Sequence, residues 1–166
     1  MTLITIHHLE QSRSHRILWL CEELDLEYKI KKYKRDPVTM LAPASLKKVH
    51  PLGKSPVVTD GDSVLAESGA IIETLLEKYG NGKLLPNGDQ SQIDYRFWMH
   101  FAEGSAMTPL LLSLIFSKIS KDAPFIVKPI TKAISKKVDE MLIAPNLQAN
   151  FMLMENHLAK NSYFAG

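Results

Sequence analysis

Three short stretches of this chain gather hydroxyl, ammonium and carboxylate groups suited to meeting charged ligand groups. The first is Ser12-Arg13-Ser14-His15, immediately ahead of an apolar-periodic segment. A hydroxyl at the start of a helix can donate a hydrogen bond to an anion while the helix dipole adds positive potential, which suits a thiolate. The same serines serve equally well as plain helix caps. The second is Lys54-Ser55-Pro56, where a lysine that could meet a carboxylate precedes an X-Pro bond, a bond that is usually trans. The third is Glu67-Ser68. Its carboxylate can meet an ammonium, and its serine hydroxyl and backbone N–H, at a helix N-terminus, can meet a carboxylate. His7-His8 has metal-binding chemistry, but no Asp, Cys or His stands at ligand spacing, so no metal is expected. The one cysteine, Cys21, excludes an internal disulfide and any Cys-x-x-Cys motif.

These groups need elements to position them. Thr2 to His8 reads as a buried strand, and residues 14 to 24 as a helix with Ile17, Leu18, Leu20, Cys21 and Leu24 on its apolar face. Glu27 to Lys34 reads as a strand near an edge because of its lysines, with Lys29 to Arg35 a solvated run. Residues 37 to 50 form a partly helical crossover. Pro56 to Thr59 and Ser63 to Glu67 read as a hairpin around Asp60-Gly61-Asp62. Ser68 caps a helix carrying Ile71, Ile72, Leu75, Leu76 and Tyr79, which Gly80 ends as a C′ glycine. The order βαβ, crossover, ββα is a thioredoxin-like arrangement that closes within about 80 residues. After the turn-rich stretch 81–90 only helical patterns follow: Ser91 to Lys118 with a possible kink at Pro109, Ile126 to Leu142, and Leu147 to Ala159. Met99, Phe101, Met107, Leu111 and Phe116 could line an apolar pocket or simply pack a bundle. The domains are therefore 1–80, a linker over 81–90, and a helical domain over 91–166.

Composition narrows the class. With 166 residues, 45% of them hydrophobic, the chain is too short for an α/β barrel. Eleven basic and eleven acidic residues precede residue 81, and nine and seven follow, so neither half suggests nucleic acid. Lys128, Lys132 and Lys136 recur every four residues, as an exposed helix face does. The N-terminus lacks a secretory pattern, and the longest apolar run, Pro109 to Ile115, is far below spanning length. No membrane association is expected, and a reduced cytoplasmic setting fits the lone cysteine.

Three motifs in order, Ser12-Arg-Ser-His-Arg-Ile-Leu-Trp-Leu-Cys-Glu-Glu-Leu, His50-Pro-Leu-Gly-Lys-Ser-Pro-Val-Val and Leu65-Ala-Glu-Ser-Gly-Ala-Ile, resemble the glutathione S-transferases, and within them the serine-type members of fungi and bacteria. The resemblance implies an α/β thioredoxin-like domain followed by an all-α domain, and conjugation of glutathione to electrophilic apolar small molecules. It makes Ser12 the residue that stabilises the thiolate. It makes Pro56 cis, with the Ser55 backbone pairing to the cysteinyl moiety. Ser55 stands where valine is commoner, a change of little consequence if only the main chain binds. Lys54 would meet the glycyl carboxylate, Glu67 the γ-glutamyl ammonium and Ser68 its carboxylate. Arg16 and Trp19 support the helix. The partners implied are glutathione as co-substrate, an electrophile and a second copy of the chain.

A glutathione-binding protein without catalysis is the alternative reading. Thiol–disulfide exchange is disfavoured because position 12 is serine and Cys21 sits on the apolar helix face. Asn161-Ser-Tyr-Phe-Ala-Gly166 resembles the approach to a further capping helix, so the helical domain is expected to be incomplete.

Overall fold

A computed structural model describes residues 3–165; Thr2 and Gly166, which the readings above include, lie outside the described residues. The chain divides into two compact units, Met1–Leu85 and Pro86–Gly166.

The first unit is built on a four-stranded sheet in the order β2-β1-β3-β4, with β1 at Ile4–Leu9, β2 at Tyr28–Tyr33, β3 at Val57–Asp60 and β4 at Ser63–Ala66. β1 and β2 are parallel, and β3 runs antiparallel to both β1 and β4. The parallel pair is joined through helix α1 (His15–Glu23), and α3 (Ser68–Tyr79) follows β4. This is the thioredoxin-like arrangement, with β2 on the edge as its lysines require. Side chains of a strand alternate between faces. On β1, Ile4 and Ile6 therefore share one face with His8, while His7 and Leu9 point to the other. Ile17, Cys21, Ile71 and Leu75 from α1 and α3 are buried, each 0% exposed. Across the sheet Leu9 clusters with Tyr33, Ala42 and Leu46, the last from the one-turn helix α2 (Ala44–Lys47). Burying one such Leu or Ile contributes roughly 1.5–3 kcal/mol.

Two caps differ from expectation. Ser68 is the first residue of α3; the N-cap is Glu67, at φ 69 and ψ 128, a conformation that non-glycine residues rarely adopt. Gly80 ends α3 with an ordinary φ of −69, and left-handed geometry falls instead on Asn81 (φ 49) and Gly82 (φ 82). The hairpin turn is tighter than read, because Asp60 pairs with Ser63 and leaves Gly61-Asp62 as the loop, Gly61 at φ 58. Buried Asp60 ties this hairpin to the end of α3 through Lys78 Nζ at 2.8 Å and the Tyr79 hydroxyl at 2.8 and 2.9 Å.

The second unit consists of α4 (Asp89–Phe101), α5 (Met107–Asp122), α6 (Lys128–Val138) and α7 (Ala144–Leu158). One-turn π-helical segments, Ala102–Ala106 and Asp139–Ile143, join α4 to α5 and α6 to α7. The irregularity expected at Pro109 thus lies just before it. Proline cannot donate to the carbonyl four residues back, which is that of Ser105; the Asn150 side-chain amide takes up that carbonyl at 2.9 Å. Helix runs unbroken for 34 residues from Asp89 to Asp122, with mean hydropathy 1.2 over its most apolar stretch. By length and composition it could cross a bilayer, which the short run Pro109 to Ile115 did not reveal; the core helix of a bundle meets the same criterion. Among the described residues of this unit, Phe101, Pro109 and Ile143 are buried, whereas Leu111, Leu114, Phe125, Ile126, Ile130 and Met141 are exposed.

Candidate functional site

Sheet register gathers the three motifs at one edge. His7, near the end of β1, pairs with Val57 at the start of β3, and Val57 pairs with Ala66 at the end of β4. The loop after β1 carries Ser12, the segment before β3 carries Lys54, Ser55 and Pro56, and the residues after β4 are Glu67 and Ser68. All six candidates therefore leave the sheet at the same end.

Two of them touch. The Ser12 hydroxyl lies 3.2 Å from the Ser55 hydroxyl. The Ser55–Pro56 peptide is cis, as the resemblance implied. Lys54 and Glu67 are exposed, Ser12 and Ser55 half-buried, and Ser68 buried at 6% exposure at the start of α3. Ser12 does not cap α1; the N-cap position belongs to Ser14, whose side chain makes no capping bond. Instead Ser14, fully buried, bonds His8 Nδ1 at 2.7 Å and the Ser12 hydroxyl at 2.9 Å, and its backbone N–H points at Ser12 Oγ at 3.3 Å.

Ser55 is where the sequence reading needs correction. Its side chain is not idle: the hydroxyl donates to the His7 carbonyl at 2.9 Å and accepts the Leu9 N–H at 3.3 Å. A valine there would leave both backbone groups of β1 without these partners.

Arg35 is the second correction. It is not part of a merely solvated run; its guanidinium donates to the carbonyls of Glu10 at 2.9 Å, Gln11 at 3.1 Å and Met40 at 2.8 Å. It thereby fixes the loop that carries Ser12, in which Gln11 takes a φ of 52. His8, Ser14 and Arg35 are the groups in contact with Ser12 or its loop that sequence reasoning missed. The period-2 alternation of β1, which puts His8 on the α1 face, was the available signal for the first.

The neighbouring histidines serve the sheet. Buried His7 bonds the Tyr33 hydroxyl at 2.8 Å through Nδ1 and lies 3.4 Å from the Thr59 hydroxyl through Nε2. Burial, aided by Lys31, holds its pKa below the usual imidazole value. The described residues contain no cluster of three His, Cys, Asp or Glu able to hold a metal ion. Cys21 is buried, and desolvation, with Glu22 beside it, pushes its thiol up to about 11. Trp19 is 69% exposed and bonds Glu23 one turn on, so it rests on the surface of α1. The helical unit has a cavity of about 310 Å³ bordered by Ser91, Asp94, His157 and Phe164, among others. None of Met99, Phe101, Met107, Leu111 or Phe116 lines it.

The βαβ-ββα order with a cis-proline before β3 defines a thioredoxin-like unit. Residues 1–77 match the family described as glutathione S-transferase, N-terminal domain. The chain is 37% identical over 165 residues to glutathione S-transferase 3 of Schizosaccharomyces pombe, covering 99% of this chain and 67% of that protein. It is 32% identical over 170 residues to glutathione S-transferase 1 of Saccharomyces cerevisiae, covering 98% and 72%. The solved structure of a glutathione S-transferase from Actinobacillus pleuropneumoniae superposes with a TM-score of 0.74 at 34% identity, over 99% of this chain and 70% of that one. This chain belongs to the glutathione S-transferase family.

Proposed function

We propose that the chain conjugates the glutathione thiolate to electrophilic, largely apolar small molecules, with Ser12 donating the hydrogen bond that holds the sulfur as thiolate. The observation that carries this reading is the state of the Ser12 hydroxyl: it is half-buried at the mouth of α1 with its oxygen fixed by the Ser14 N–H. Only the thiolate is a competent nucleophile. The thiol proton passes to solvent, the sulfur forms the new carbon–sulfur bond, and the leaving group departs with its electron pair or the electrophilic double bond takes the charge.

The remaining candidates hold the peptide. The main chain at Ser55, turned by cis-Pro56, pairs with the cysteinyl amide like an added strand. Glu67 meets the γ-glutamyl ammonium, the Ser68 hydroxyl and N–H meet its carboxylate at the start of α3, and Lys54 meets the glycyl carboxylate. The rare backbone conformation of Glu67 supports a site role, since such conformations cluster at ligand clamps. Opposite charges at the ends of the peptide and a donor at its centre fix the sulfur against the incoming electrophile. The working form is a homodimer in the cytoplasm; the apolar side chains exposed on the helical unit support a partner surface.

Ser12→Ala tests the assignment. Turnover of a chlorodinitrobenzene electrophile is expected to fall about 100-fold, the scale for losing one well-placed donor to a developing anion, with glutathione affinity within a few-fold. Unchanged turnover removes Ser12 from the mechanism. Glutathione binding with no turnover by the unaltered protein favours the non-catalytic alternative.

A further inference from the structure

The hydrogen count around Ser12 has one consistent solution. The His7 carbonyl can only accept, so the single hydroxyl hydrogen of Ser55 goes there. Ser55 then has none to offer Ser12, and the bond between them is donated by Ser12. With the Ser12 hydrogen so placed, the 2.9 Å contact between Ser12 and Ser14 must be donated by Ser14. Ser14 in turn has nothing left for His8, so the 2.7 Å contact is a donation from His8 Nδ1–H. The result is one polarised chain running His8, Ser14, Ser12, Ser55, His7 carbonyl.

We propose that His8 is the positioning residue for Ser12, donating from Nδ1 through Ser14 so that the Ser12 hydrogen is always directed away from the helix and is free to swing onto a thiolate. The inference rests on the reading of Ser12 as the thiolate donor. The bond given up in that swing is the 3.2 Å contact to Ser55, the longest of the side-chain links in the chain. The two links behind it remain in place. Each hydrogen bond in such a chain polarises the next, so a donor end at His8 strengthens the hydrogen that Ser12 presents to sulfur.

Other groups facing His8 fix its state. The His15 ring of α1 stands edge-on at 5.0 Å. Burial, His15 and Lys32 of β2 disfavour the imidazolium, and Glu10 opposes them weakly, leaving the pKa below the usual value. At neutral pH His8 is therefore neutral and carries one N–H, so the tautomer decides the direction of the chain.

Two measurements test this. Nitrogen NMR of the resting protein is expected to show His8 as the Nδ1–H tautomer; the Nε2–H tautomer overturns the proposal. The second is the pH titration of thiolate absorbance of bound glutathione in the full chain. His8→Phe and Ser14→Ala are each expected to raise the apparent thiol pKa by about one unit, a tenfold loss of thiolate. The double variant is expected to do no more than either alone, because both cut one chain. His8→Asn, whose amide can donate in place of Nδ1–H, is expected to restore the unaltered value. An Asn variant that behaves like Phe overturns the donor role. A thiol pKa raised by Ser12→Ala but not by His8→Phe or Ser14→Ala sinks the chain and leaves Ser12 standing. A pKa untouched by Ser12→Ala sinks the reading of Ser12 and the chain with it.

Discussion

Ser55 sits between the backbone of β1 and the hydroxyl assigned to sulfur, so its side chain has both a structural and a chemical neighbour. Ser55→Ala strips partners from the Leu9 N–H and the His7 carbonyl and is expected to cost about 1–3 kcal/mol, read as a lower urea midpoint at unchanged m-value. His7 gives a second prediction at this scale. Its folded pKa lies below 6.5 because burial and Lys31 disfavour the charged ring. An unfolded chain binds that proton near pH 6.5, so below this value the unfolded state holds more protons than the native one. Stability contributed by neutral His7 is thus complete above about pH 6.5 and is lost as pH falls toward the depressed folded value. His8 acts in the same direction. Urea midpoints measured on either side of this window should show the loss, and His7→Gln should reduce it; equal midpoints for the unaltered protein would contradict it.

At the level of elements, strands and helices of the first unit are legible because their signals are local: a buried β-branched run in β1, lysine-interleaved alternation in β2, apolar spacing in α1 and α3, and a glycine-bearing turn between β3 and β4. What escapes is the tertiary linkage. Arg35 belongs by composition to a basic edge run, yet its three acceptors include Glu10 and Gln11, which lie 25 and 24 residues away in sequence. No periodicity encodes such a link. The π-helical turns escape for a related reason, since a proline marks only that a bond is missing and not how neighbouring residues make up for it. In the candidate site, Ser12, Ser55, Glu67 and Ser68 were legible through their motifs, whereas Ser14 and His8 depend on the packing of β1 against α1, and the Ser55 side chain on the approach of the segment before β3 to the β1 backbone. Arg35→Lys keeps the charge but loses the planar fork that reaches three carbonyls. Loosening the loop that carries Ser12 is expected to lower kcat/KM for conjugation about tenfold, a partial form of the loss that misplacing a reacting group brings. A kcat/KM equal to that of the unaltered protein would show the clamp to be dispensable.

On the scale of the whole molecule the two units differ in how they satisfy their apolar residues. The first buries its core around the sheet, from Ile6 to Leu75 at 0% exposure, while the second leaves Phe125 at 90% and Ile126 at 87%. A homodimer is expected in solution, giving light scattering at twice the chain mass, and a monomer at every accessible concentration would overturn it. The relatives in the two yeasts are longer, with this chain spanning 67% and 72% of them.

The buried thiol of Cys21 bears on survival at work. A protein that draws electrophiles toward a sulfur nucleophile is itself exposed to alkylation. With its one cysteine enclosed and its pKa near 11, almost no protein thiolate exists at neutral pH to compete with the co-substrate. Alkylation or oxidation at Cys21 is thereby disfavoured. Any fast-reacting thiol in a mixture of this chain and glutathione therefore belongs to glutathione, free and bound together, and a thiol reagent reports the co-substrate without a contribution from Cys21.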